Sequence, residues 1–115
     1  MTYFGMTLQL RDDAEGIERY KDYHAKPWPV VRSALREVGV TGMRIFLDGR
    51  RLFMYLEAVD GFDPVRDFAR TMEDPGYAEW EELMRTLQEQ FPDAAPGEWW
   101  RRMEPVFDLS QHPAD

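Results

Sequence analysis

The chain opens on an alternation. Phe4, Met6, Leu8 and Leu10 are apolar, whereas Tyr3, Gly5, Thr7 and Gln9 between them are mixed or polar. A period of two puts one face of a strand into a core and turns the other away from it. From Asp12 the period lengthens. Ile17, Tyr20, Tyr23 and His24 fall at helical spacing behind the N-cap candidates Asp12 and Asp13, which predicts a helix to about Ala25. Pro27 and Pro29 break the hydrogen-bond ladder, yet Pro29 suits the first turn of a fresh helix. Val31, Ala34, Leu35 and Val38 are its buried stripe and Gly39 its stop.

Two apolar runs follow, Met43–Leu47 and Leu52–Ala58, separated by Asp48, Gly49 and Arg50. Asp-Gly between such runs is a strong hairpin signal, so they are expected to pair antiparallel. Asp63-Pro64 and Asp74-Pro75 each supply a cap and a first helical turn, the second ahead of Tyr77, Trp80, Met84, Leu87 and Phe91. After a loop holding Pro92, Pro96 and Gly97, the stretch Met103–Leu109 is predicted to form a short last strand with Pro105 on an edge. Strand, helix, strand, strand, helix, strand is the split βαβ order. It predicts an α+β, ferredoxin-like fold: a four-stranded antiparallel sheet with helices on one face. The second face stays bare, and a homodimer is the economical way to cover it, with a pocket between sheet and loops as a by-product.

A length of 115 residues suits one domain, expected over 1–109, with 110–115 as a flexible tail. The formal net charge of −8 argues against nucleic acid and anionic membranes, because backbone binding rests on Lys and Arg displacing counterions. A neutral ligand such as a free sugar fits better than a sugar phosphate. With no cysteine there is no disulfide framework, thiolate metal site or thiol nucleophile, which fits the cytoplasm. Met1–Leu10 lacks the basic start and long apolar run of a signal peptide, and no run reaches membrane-spanning length. His24 and His112 are the only imidazoles, so no metal is expected. Phosphate loops, dinucleotide fingerprints and nucleophile elbows are absent too.

His24 lies one helical turn beyond Tyr20, so the two side chains can reach one volume. Histidine exchanges protons near neutrality, and a tyrosine hydroxyl can orient a sugar hydroxyl or relay that proton. Spacing alone favours a half-buried histidine that only satisfies hydrogen bonds. Trp28, Trp80, Trp99 and Trp100 could wall a sugar or anchor a core. Glu79, Glu81 and Glu82 read most simply as a solvated helix face.

Taken together, Tyr20-x-x-x-His24-x-x-x-Trp28-Pro29, Ile45-Phe46-Leu47, Leu52-Phe53, Trp80, and Glu98-Trp99-Trp100 ahead of Met103-Glu104-x-Val106-Phe107 resemble the L-rhamnose mutarotase family in order and spacing over nearly the whole chain. The resemblance implies a dimeric ferredoxin-like α/β barrel that interconverts the α and β anomers of a free deoxy-sugar without a cofactor. It implies His24 as proton donor and Tyr20 as a substrate-binding residue. Two positions depart from the rhamnose pattern: Met43 stands where a tyrosine usually opens the second strand, and Glu81 follows Trp80 in place of a second tryptophan. Losing a hydroxyl and gaining a carboxylate changes which sugar hydroxyls are satisfied. Tyr20, Trp80, Met43 and Glu81 are thus the expected sugar contacts, and L-fucose is the leading substitute for rhamnose. Two rivals use the same residues: a cofactor-free monooxygenase or cyclase on a dimeric barrel, and a non-catalytic sugar-binding or dimerisation module.

Overall fold

The alternation of the first strand holds over its whole length. In the computed structural model, which describes residues 1–114, β1 (Thr2–Leu10) pairs antiparallel with β3 (Arg51–Ala58) from Thr2↔Ala58 to Gln9↔Arg51. Phe4, Met6, Leu8 and Leu10 are buried on one face, the first three in register with Leu56, Met54 and Leu52. β2 (Val40–Asp48) pairs with the far edge of β3 through the expected hairpin, and Gly49 takes the positive φ of +63° that its tight turn demands.

α1 (Ala14–Ala25) and α2 (Pro29–Glu37) connect β1 to β2, and α3 (Pro64–Thr71) and α4 (Pro75–Leu87) follow β3. Asp63 Oδ1 accepts from the backbone N–H groups of Val65 and Arg66 at 2.9 and 3.3 Å, and Asp74 Oδ1 accepts from Gly76 at 2.9 Å. Both Asp-Pro pairs therefore start helices by satisfying donors that a helix leaves free. Asp13 occupies the N-cap of α1 without a side-chain bond. Gly39 has φ +109°, and a Cβ there would lie 2.7 Å from the Val59 side chain, so both conformation and space require glycine where α2 turns into β2.

The last strand departs from expectation. β5 covers only Arg101–Met103, and β4 (Gln88–Glu89) forms directly where α4 ends; both pair with β1, giving the order β2-β3-β1 with β4 and β5 sharing one edge. The fourth position of the ferredoxin-like sheet is thus filled by two short pieces, with 90–100 looping out between them. Residues 104–108 do not pair: Pro105 lacks a donor, and Val106 and Phe107 stay exposed because no layer of this chain lies beside them. Helical structure ends at Leu87, so Phe91 belongs to the loop. Asp108 Oδ1 caps a short 3₁₀ turn, Leu109–Gln111, and the Phe107 ring stacks on His112; Asp115 lies outside the described residues.

All four helices lie on one face and bury two adjoining clusters. One joins Leu10, Tyr20, Val31, Leu52, Tyr77, Trp80, Met84 and Leu87; the other joins Phe4, Met6, Val38, Met54, Leu56, Ala58 and Phe62. The opposite face of the sheet is bare. Phe46 is 55% exposed, Tyr3 and Phe53 are also exposed, and the Phe46 and Phe53 rings stack 6.3 Å apart. No helix among the described residues is long and apolar enough to cross a membrane.

Candidate active site

The i, i+4 spacing in α1 brings the Tyr20 and His24 rings to 4.2 Å between centroids. His24 Nδ1 lies 2.8 Å from the backbone carbonyl oxygen of Tyr20. A carbonyl can only accept, so Nδ1 carries the proton and Nε2 of the neutral ring keeps its lone pair. Burial pushes the His24 pKa below the ordinary histidine value, and the carbonyl opposes this more weakly. At neutral pH the ring is therefore an uncharged proton acceptor of fixed tautomer.

Aromatic packing holds it there. Trp80 of α4 meets the His24 ring edge-on at 5.5 Å and 67°, Tyr23 at 6.1 Å and Trp28 at 5.2 Å. Trp80 is only 4% exposed, so it braces the histidine as much as it walls a cavity. Trp28, between the two prolines, anchors the chain against Trp80. Trp100 packs on both core clusters, and Trp99 lies beneath the Arg85 guanidinium at 5.4 Å.

Glu81 is not a solvated residue: its side chain is 17% exposed, and burial raises its pKa against the opposing pull of Arg85. Burial also raises the Tyr20 pKa far above the usual phenol range, with the Gln88 amide lowering it and the Glu81 charge adding to the rise. The Tyr20 hydroxyl therefore stays protonated, a donor that can orient an oxygen. Met43 sits on the helix-covered face of β2 but packs against the second cluster, apart from the group around His24. The structure thus joins Tyr20, His24, Trp80 and Glu81 and leaves Met43 to one side.

Arg85, Gln88 and Tyr23 were not singled out by sequence. Glu81, Arg85 and Gln88 are spaced i, i+4, i+7 beside the stripe Tyr77, Trp80, Met84 and Leu87, and that polar row was the available signal. Among the described residues no cluster of His, Asp and Glu is placed to hold a metal ion. A depression of about 450 Å³, lined by Arg44, Phe46, Phe53, Tyr55 and Glu57, lies on the bare sheet face. It lies on the side of the sheet opposite the helices that carry His24 and Glu81.

The L-rhamnose mutarotase family model matches residues 3–109. A UPF0734 protein of Dictyostelium discoideum is 44% identical across 92% of this chain and 88% of its own length. The L-fucose mutarotase of Xanthomonas campestris is 38% identical across 90% and 85%, and the L-rhamnose mutarotase of Lactiplantibacillus plantarum 29% identical across 96% and 85%. The crystal structure of an L-rhamnose mutarotase from Formosa agariphila superposes with a TM-score of 0.69 at 20% identity, covering 94% of this chain and 98% of that one, and so shares its fold. The chain belongs to the L-rhamnose mutarotase family.

Proposed function

We propose that this protein is an aldose mutarotase that interconverts the α and β anomers of a free 6-deoxy-L-sugar, L-fucose ahead of L-rhamnose, without a cofactor. The observation that carries the reading is the His24 ring: neutral, half-buried, and locked by the Tyr20 carbonyl so that Nε2 is its free nitrogen. Mutarotation removes the proton from the anomeric hydroxyl and breaks the bond from C1 to the ring oxygen, which gains a proton. The aldehyde then turns by half a rotation and the ring recloses. His24 Nε2 accepts the anomeric hydroxyl proton and, as imidazolium, donates it to the ring oxygen as the bond to C1 breaks; on closure it takes that proton back from the C5 hydroxyl and donates it to the carbonyl oxygen, so the enzyme ends each cycle unchanged. Tyr20 donates to and orients a sugar oxygen, Trp80 braces the histidine beside the ring, and Glu81 is the position that tunes the sugar.

Preference for L-fucose rests on two supports. The fucose relative is nearer in sequence than the rhamnose one, and Glu81 puts a carboxylate where a second indole is the usual wall. A homodimer and a cytoplasmic setting complete the reading. The bare face with Tyr3, Phe46 and Phe53, together with the exposed Val106 and Phe107, supplies apolar surface for a second copy. The radius of gyration of 15.0 Å exceeds the roughly 13 Å of a compact domain of this size, as a C-terminal segment that leaves the body would require.

Saturation transfer between anomeric protons tests the activity directly. The protein should speed exchange in L-fucose, more weakly in L-rhamnose, and light scattering should give twice the 13.6 kDa chain mass. Unaltered exchange in every free aldose would overturn the activity, and a monomer would overturn the assembly.

A further inference from the structure

Gln88, beside Tyr20, is a deeply buried polar side chain at 2% exposure, and its Oε1 has no hydrogen-bond partner among the described residues. The backbone around it is firmly held: Gln88 pairs with Leu10 of β1, and its carbonyl accepts from Arg11 Nε at 3.2 Å. Pairing with Leu10 turns the side chain to the helix-covered face, where its amide lies beside the Tyr20 hydroxyl. One turn back along α4, Arg85 Nε is also buried and unpaired. It stands 3.9 Å from Glu81 Oε1, close enough for charge attraction and too far for a hydrogen bond. An orphaned buried acceptor and an orphaned buried donor each cost stability, unless a ligand completes them.

We propose that Glu81, Arg85 and Gln88 form a hydroxyl-reading row along the end of α4, in which Gln88 Oε1 accepts from one sugar hydroxyl and Arg85 Nε donates to another. The proposal rests on the sugar mutarotase reading and assigns the specificity of the same site. Tyr20 links the row to the proton-transfer group, since its ring touches His24 and its hydroxyl meets the Gln88 amide. Trp99 beneath the Arg85 guanidinium holds that side chain in place. A row carrying one carboxylate, one pure donor and one amide discriminates between axial and equatorial hydroxyls, because a wrongly placed hydroxyl strands a buried partner. Gln88 and Arg85 touch sugar oxygens that do not react, so they set affinity and choice of sugar and not the proton transfer.

The test pairs a side chain with a hydroxyl. Gln88→Met, which keeps the length and volume of the side chain, is titrated by ligand-observed NMR with L-fucose and with its 2-deoxy, 3-deoxy and 4-deoxy analogues. Wild-type protein should lose about tenfold to a hundredfold in affinity for one of these analogues. Gln88→Met should lose about as much for L-fucose itself and nothing more for that analogue, while its melting temperature without sugar equals or exceeds that of wild type. Arg85→Met should show the same pattern with a different analogue, which keeps the test intact if Gln88→Met fails to fold. Wild-type affinity for L-fucose in both variants, or an equal analogue penalty in variant and wild type, would overturn the row. If wild-type protein itself accelerates no aldose, the mutarotase reading fails first, and the two failures are thereby distinguished.

Discussion

Two clusters lie side by side under the same face of one sheet, and they are built on different terms. The second, around Phe4, Met6, Met54, Leu56 and Phe62, contains no ionisable side chain. The first buries Tyr20, Tyr77 and Trp80 with His24, Glu81, Arg85 and Gln88 at its margin, and two of its polar atoms have no partner. Aliphatic packing of the second kind stabilises a fold at about 25 cal/mol per Å². Polar groups of the first kind cost stability unless satisfied. The contrast separates labour within a small domain: one cluster supplies stability, and the other gives up part of it to hold a neutral histidine and unpaired hydrogen-bonding atoms, the arrangement that the proposed sugar site requires.

Replacing one residue in each cluster should therefore break different properties. His24→Asn is expected to reduce anomer exchange by roughly 100- to 10,000-fold, the range of general acid-base groups, with melting temperature nearly unchanged. Exchange at the wild-type rate would remove His24 from the mechanism. Leu56→Ala, at a position with no exposure, is expected to cost about 2–5 kcal/mol of stability by denaturant titration. The folded fraction should exchange anomers at the normal rate per molecule. If Leu56→Ala instead lowers the rate of fully folded protein as far as the histidine change does, the two clusters are not separable.

How much of this was legible in the sequence follows the range of the interactions. The alternation of β1, the Asp-Gly hairpin and the Asp-Pro helix starts are local, and each appears where its residues predict it. The Tyr20 and His24 pairing is one helical turn and equally local. Met103–Leu109 misled because an apolar run looks the same whether or not a neighbouring strand exists; only Arg101–Met103 reaches β1. Gln88 was invisible for the converse reason. A glutamine at a helix end reads as surface, and only its pairing with Leu10, from the other end of the chain, buries it. The histidine tautomer was likewise beyond sequence, since it depends on which acceptor faces Nδ1.

Tyr20→Phe probes the seam between stability and chemistry within the first cluster. The ring and its packing on His24 remain, and only the hydroxyl beside Gln88 is lost. The expected loss in kcat/KM is roughly 0.5–1.5 kcal/mol, or about 2- to 13-fold, the net worth of one hydrogen bond. Stability should fall by about 1–3 kcal/mol, because the buried Gln88 amide loses its partner, and an unchanged kcat/KM would make Tyr20 a packing residue only.

The smallest effect is a slope of stability against pH, and it also belongs to the first cluster alone. Burial lowers the His24 pKa, so between its folded value and the unfolded value near 6.5 the unfolded chain binds more protons. Stability then rises with pH through that window and is lost as pH falls below about 6.5. Glu81 acts in the opposite sense, because its raised pKa makes the folded state bind more protons above about 4.3, and stability falls as pH rises through its folded value. The two slopes oppose each other where they overlap, so wild-type protein should show a shallow dependence of well under one proton between about pH 4.5 and 6.5. Glu81→Gln removes one of them. It should steepen the loss on acidification below pH 6.5 and raise stability at pH 7, as read by denaturant midpoints across that range. In Glu81→Gln combined with His24→Asn the slope above about pH 5.5 should vanish, because Asp67 and Asp93, whose carboxyls arginines hold below the ordinary range, contribute only at lower pH. A slope that survives the double change would place the responsible group outside both clusters.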